Sequence, residues 1–307
     1  MRDAFSNTLV ALAKSDPKVL LLTGDHGYAL FDAFRRECPN QYINAGIAEQ
    51  NMVGMAAGLA RAGFKPFVYG LAAFIPVRVI EQIKLDVAHD NLPVIFIGDG
   101  AGFVYSHLGT SHQSTEDIAC TRAIPNLAIY SPADRFEVSA CMNAAFNSGS
   151  ASYIRMGKSD RGDVHKSEIS KFSNLPLNVH QASDSRVAIM ATGSMVKMAL
   201  NLVNEGFVQA SIWSVPTIKP ANILQVVEIC KANNLLITLE EHSVMGGLGS
   251  LIAEVASEFS PKKILRIGVQ DRFSHHCGTY EYLLAEHELD FDSIKNKIIN
   301  FLALNKA

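Results

Sequence analysis

Cysteine is scarce and scattered in this chain. Cys38, Cys120, Cys141, Cys230 and Cys277 are odd in number and none stands in a C-x-x-C spacing. That excludes a disulfide framework or a zinc site, and the thiols read as reduced and mostly buried in a cytoplasmic protein. Charge of one sign is not in excess either. The formal net charge is −3 over 307 residues, which removes the electrostatic case for nucleic acid or an anionic membrane. No run approaches the roughly 18–20 uninterrupted apolar residues of a membrane helix. The opening Met1-Arg2-Asp3-Ala4-Phe5-Ser6-Asn7 has no apolar core followed by a cleavage site, so no secretory signal is expected. Low-complexity tracts and short-period repeats are absent as well. What is left is an ordinary globular composition, 48% hydrophobic, at a length that predicts about two domains.

What is present is an alternation of amphipathic helix and short apolar strand. The helical spacing of Phe5, Leu9, Leu12 and Ala13 precedes a strand at Val19-Leu20-Leu21-Leu22-Thr23. Further strands are expected at Pro66 to Tyr69, Leu92 to Ile97, Leu127 to Tyr130 and Ser152 to Arg155, with helices between them. Continuous apolar strands separated by helices predict a mostly parallel sheet covered on both faces. From Ser159 to Ser185 the chain is polar and reads as a crossing linker with room for one strand. The alternation restarts at Arg186. The expected class is therefore α/β, with two doubly wound domains spanning 1–165 and 186–307 and a linker over 166–185.

In open parallel sheets, ligands bind beyond the carboxyl ends of the strands. The loops expected there begin at Gly24-Asp25-His26-Gly27, Asn44-Ala45-Gly46, Gly70-Leu71-Ala72-Ala73-Phe74, Gly98-Asp99-Gly100 and Arg155-Met156-Gly157-Lys158. One of them places Glu49 between a small-residue turn and the apolar helical run Met52 to Ala60. Burial disfavours the charged form of a carboxyl, and enzymes use that arrangement for a proton donor near neutral pH. A glutamate complementing a helix dipole is the alternative at this point.

Ala45-Gly46-Ile47-Ala48-Glu49-Gln50 followed by Ala56-Ala57-Gly58-Leu59-Ala60 resembles the G-I-A-E-Q signature of transketolases and 1-deoxyxylulose-5-phosphate synthases. Gly109-Thr110-Ser111-His112-Gln113 with Glu116-Asp117 resembles their substrate loop. Glu240-Glu241-His242 and Gly246-Gly247-Leu248-Gly249-Ser250 resemble their C-terminal domain. The likeness covers nearly the whole chain, but only the second and third of that family's three domains. It implies the C-terminal subunit of a split transketolase: a pyrimidine-binding domain and a transketolase C-terminal domain. Thiamine diphosphate and Mg²⁺ would be held mainly by an N-terminal transketolase-like partner, in an α2β2 assembly. No metal ligand is expected in this chain.

The resemblance also implies residue roles. Glu49 would bond the cofactor's aminopyrimidine and activate it for transfer of a two-carbon ketol from a ketose donor to an aldehyde acceptor. Phe74 would stack on that ring, with Ile47 and Gln50 beside it. His112 would act catalytically near the transferring carbon and bind substrate, and Arg155 would bind the far end of a sugar or sugar phosphate. Val77 and Ile80 stand where relatives often carry aromatics. Leu108 replaces a hydroxyl-contacting aspartate, Gly98 and Gly100 replace substrate-facing side chains, and His107 is a candidate to compensate. These departures point to an unusual, deoxy, amino or nucleotide-linked sugar. Gly98-Asp99-Gly100 followed by Asn126 nearly has the spacing of the thiamine-diphosphate metal motif, but Asn126 precedes its strand instead of ending it. His275, His276 and Cys277 lack a third ligand of known geometry and are assigned interface or supporting roles. The other classes are the β subunit of a 2-oxo acid dehydrogenase and a non-catalytic scaffold of this fold.

Overall fold

The computed structural model describes residues 1–170 and 172–305. Lys171 in the expected linker, and Lys306 and Ala307 at the end of the expected second domain, lie outside the described residues. The first half of the chain supplies strands β1 (Val19–Thr23), β2 (Tyr42–Asn44), β3 (Lys65–Leu71), β4 (Ile95–Asp99), β5 (Ala128–Tyr130) and β6 (Ser152–Met156). The second half supplies β7 (Leu177–His180), β8 (Val187–Ala191), β9 (Ser211–Ser214), β10 (Thr217–Lys219), β11 (Leu235–Ser243) and β12 (Lys263–Val269). Among the described residues these form two sheets, ordered β10-β5-β6-β4-β3-β1-β2 and β12-β11-β8-β9-β7. All pairings are parallel except β10 with β5 and β7 with β9.

The continuous apolar strands behave as expected of a doubly covered parallel sheet: β1, β4 and β6 are buried along their whole length. Helices Arg2–Ser15 and Arg135–Ser148 pack on one face, bringing Phe5, Leu9 and Leu12 into one cluster with Val138 and Met142. Asp134 starts the second of these by accepting from the backbone N–H groups of Phe136 and Glu137, at 3.0 and 2.9 Å. Helix Glu49–Arg61 covers the other face through Met52, Val53 and Ala56.

Two short strands bear on the domain division. Leu177–His180, inside the stretch read as a linker with room for one strand, is a strand of the second sheet. Thr217–Lys219, inside the expected second domain, extends the first sheet, pairing Thr217 with Tyr130 and Lys219 with Ile129. An apolar cluster also runs through both halves, joining Val68 and Phe96 to Met190, Leu236, Leu251 and Ile252.

Gly98 and Gly100 are packing requirements. A Cβ on Gly98 would lie 2.5 Å from the Tyr153 hydroxyl and 2.9 Å from the Ile75 carbonyl oxygen. Gly100, at φ +76, would place one 2.0 Å from the Tyr105 ring. Gly98→Ala is therefore expected to destabilise the chain by about 1–3 kcal/mol through overpacking, read as a lower urea midpoint. An unchanged midpoint would show that the strand end has room for a side chain.

Candidate active site

The strand-end loops build the site. Beyond β2, Asn44 Oδ1 accepts from the Gly46 N–H at 2.9 Å, and Gly46 takes φ +72. This short turn, which suits asparagine and glycine, delivers Glu49 as the first residue of its helix. Glu49 is 4% exposed, whereas its neighbour Ile47 is 76% exposed and Gln50 is also exposed.

The expected apolar surroundings of Glu49 are not what it meets. Arg78 Nη1 donates to Glu49 Oε1 at 3.0 Å. The same guanidinium lies over the Phe74 ring, 4.0 Å from its centre. The His112 ring meets Phe74 edge-on at 5.2 Å between centres, and the His26 ring lies 6.3 Å from Phe74 on a tilt. His112 Nδ1 is 3.0 Å from the Ser111 hydroxyl. Thus Arg78 joins Glu49 to Phe74, and His112 meets the same ring. Val77 and Ile80 are half-buried beside them, while His107 is exposed.

Arg78 and His26 carried no assignment from the sequence. Arg78 had a signal: it follows Phe74 by four residues, and the Arg78 N–H bonds the Phe74 carbonyl as in a helical turn. His26 stood in a glycine-flanked strand-end loop with no partner motif.

Arg155 requires a correction. It is 3% exposed and Asp117 is fully buried. Arg155 Nε donates to Asp117 at 2.9 and 3.1 Å, and its Nη2 donates to the carbonyls of Glu241 at 2.7 Å and Ser114 at 3.2 Å. The Tyr153 hydroxyl completes the group, donating to Asp117 at 2.7 Å. A guanidinium enclosed in this way pins the two halves together, with its Nε and Nη2 already committed to protein acceptors. Asp99 is likewise committed: the hydroxyls of Tyr69 and Tyr105 donate to it at 2.7 and 3.2 Å. Asn126 donates to the Ala88 carbonyl. Among the described residues, no group of three or more His, Cys, Asp or Glu is placed to hold a metal ion.

The second half is locked to the first through His242. His242 Nε2 accepts from the Ala119 N–H at 3.2 Å and its Nδ1 faces the Ser243 carbonyl at 2.8 Å, which fixes a neutral ring. Burial pushes the His242 pKa down to about 4. Glu240 accepts from the N–H groups of Leu248 and Gly249 at 2.7 and 2.8 Å, at the start of helix Leu248–Phe259. Burial pushes its pKa up to about 7. Because the folded pKa of His242 lies below its ordinary value, its contribution is complete above about pH 6.5 and is lost as pH falls toward 4. That loss amounts to about 3 kcal/mol. Glu240, raised to about 7, gains stability as pH falls over the same range, so the His242 effect is read as a difference: from pH 7 to pH 4.5 the wild-type urea midpoint should fall relative to that of His242→Gln. Equal slopes in the two proteins would contradict this.

The transketolase pyrimidine-binding domain matches residues 1–162 and the transketolase C-terminal domain matches residues 177–294. The chain belongs to the transketolase family. A putative transketolase C-terminal section of Methanocaldococcus jannaschii is 34% identical, over 97% of this chain and 95% of that protein. One subunit of an apulose-4-phosphate transketolase from Phocaeicola vulgatus is 32% identical, over 98% of this chain and 97% of the relative. A 1-deoxy-D-xylulose-5-phosphate synthase of Pasteurella multocida is 32% identical over 97% of this chain, which spans 48% of that enzyme. A solved split-gene transketolase, described as an inactive beta4 tetramer, superposes with a TM-score of 0.87 at 31% identity, over 99% of this chain and 98% of the other. No helix among the described residues is long and apolar enough to cross a membrane.

Proposed function

We propose that this chain is the pyrimidine-binding subunit of a split, thiamine-diphosphate-dependent transketolase, transferring a two-carbon ketol from a ketose or modified-sugar donor to an aldehyde acceptor. The observation that carries the reading is a buried carboxylate, Glu49, linked through one guanidinium to the aromatic ring of Phe74. This pair fits an aminopyrimidine, which needs an acceptor or acid for a ring nitrogen and an apolar face to stack on. When bound, thiamine diphosphate supplies the nucleophilic thiazolium carbon that attacks the donor carbonyl.

The residues of this chain then do the following. Glu49 holds a proton at the pyrimidine ring nitrogen, and Phe74 fixes the ring plane, with Ile47 and Gln50 on the open rim. His112, edge-on to Phe74, orients a donor hydroxyl and moves its proton, and His107 lies on the exposed part of the same loop for substrate. Asp99 is already committed to two tyrosine hydroxyls, which supports a separate partner chain holding Mg²⁺ and diphosphate. The split relatives, matched over nearly their whole length, support the same division. The assembly follows as a heterotetramer acting on a sugar or sugar phosphate.

The test is cofactor-dependent transfer by the reconstituted pair of chains, screened over phosphorylated, deoxy and amino ketoses. Transfer that needs both chains and thiamine diphosphate supports the proposal. Transfer by the partner without this chain contradicts it. Full activity confined to xylulose 5-phosphate and ribose 5-phosphate would contradict the unusual-sugar reading drawn from Leu108.

A further inference from the structure

Arg78 holds both of the groups that the proposed function gives to the aminopyrimidine. Its Nη1 bonds the Glu49 carboxylate at 3.0 Å, and its guanidinium carbon lies 4.0 Å from the centre of the Phe74 ring. A guanidinium is planar, cationic and rich in N–H donors, and it stacks on aromatic faces. An aminopyrimidine protonated at a ring nitrogen is also planar, cationic and an N–H donor. The two have matching chemistry for the same carboxylate and the same ring.

We infer that Arg78 is a latch on the cofactor pocket, displaced from Glu49 and Phe74 by the aminopyrimidine of thiamine diphosphate. The inference rests on the function proposed above. Exposure decides which partner moves. The Arg78 side chain is 46% exposed and that of Glu49 is 4% exposed. Arg78 sits on the short turn Val77–Val79, and a long cationic side chain at a surface swings its head into water at little cost. Glu49 is fixed at the start of its helix and cannot follow. A buried carboxylate without a partner is costly, so the latch keeps Glu49 compensated until a ring with an N–H donor replaces it. The latch also sets affinity, because a site that is open only part of the time binds more weakly by the open fraction.

The experiment uses this chain assembled with its diphosphate-domain partner. Thiamine diphosphate is titrated calorimetrically at saturating Mg²⁺ into the wild type, Arg78→Met and Arg78→Lys. A latch closed about nine-tenths of the time predicts that Arg78→Met tightens binding about tenfold. Arg78→Lys, which keeps the charge and loses the planar face, should fall between. Without cofactor, Arg78→Met should melt at a lower temperature than the wild type, and thiamine diphosphate should raise that temperature by more. Equal or weaker binding by Arg78→Met overturns the latch, because it would mean that the guanidinium is neutral or helps in the loaded site. If Arg78→Met does not assemble, Arg78→Lys decides: tighter binding supports the latch, and equal or weaker binding overturns it. A wild-type assembly that binds no thiamine diphosphate overturns the proposed function and the latch together, a result distinct from wild-type binding with unaltered variants.

Discussion

Glu49→Gln is expected to slow exchange of the thiazolium C2 proton of bound thiamine diphosphate about a thousandfold, within the range for losing a positioned acid or base. The substitution keeps the size and the hydrogen-bonding end of the side chain and removes its proton chemistry. Glu49 is 4% exposed at the start of helix Glu49–Arg61, so water does not readily take its place. The readout is deuterium exchange at C2 in the assembled enzyme, followed by NMR, and it needs no knowledge of the sugar. Turnover with any active donor should fall in parallel. Exchange within a few-fold of wild type would remove Glu49 from the chemistry and leave the helix-dipole role as its explanation.

Arg155→Leu carries the second large effect, on stability. It leaves the Asp117 carboxylate fully buried with the Tyr153 hydroxyl as its remaining side-chain partner, and it frees the Glu241 carbonyl across the seam between the two halves. Removing one partner of a buried pair costs about 3–5 kcal/mol. The double variant Arg155→Leu/Asp117→Asn should recover part of that loss, because it buries no unpaired charge. Urea unfolding of the three proteins checks this. A loss below about 1 kcal/mol in the single variant, the scale of an exposed pair, would mean that the pin is open to water. A selective rise in KM for phosphorylated donors in Arg155→Lys, with stability unchanged, would instead return Arg155 to the substrate.

The same residue marks where the sequence stops being legible. Arg155 ends a strand-end motif, and a guanidinium there suits an anion as well as a carboxylate. Its partner Asp117 lies 38 positions away, so only tertiary packing decides between them. Gly98 and Gly100 pose the same problem: their neighbours Tyr153 and Tyr105 are not visible as neighbours in the chain. The apolar runs at β1, β4 and β6 were legible because burial on both faces leaves a continuous signature. The strand Thr217–Lys219 is short, lies outside such runs and pairs antiparallel at a sheet edge, so periodicity does not reveal it, whereas the polar crossing stretch left room for the one strand, Leu177–His180, that forms there. Glu49, Phe74 and His112 were legible through motif order, whereas the contact of Arg78 with Glu49 spans 29 positions.

The central claim is that this chain supplies one half of a shared cofactor site. Calorimetric titration of thiamine diphosphate with Mg²⁺ tests it most directly, on the chain alone and on the chain assembled with a partner carrying the diphosphate domain. The account predicts no measurable binding by the chain alone and saturable, Mg²⁺-dependent binding by the assembly. Tight Mg²⁺-dependent binding by this chain alone would contradict it, because Asp99 would then have to leave its two tyrosines for a metal.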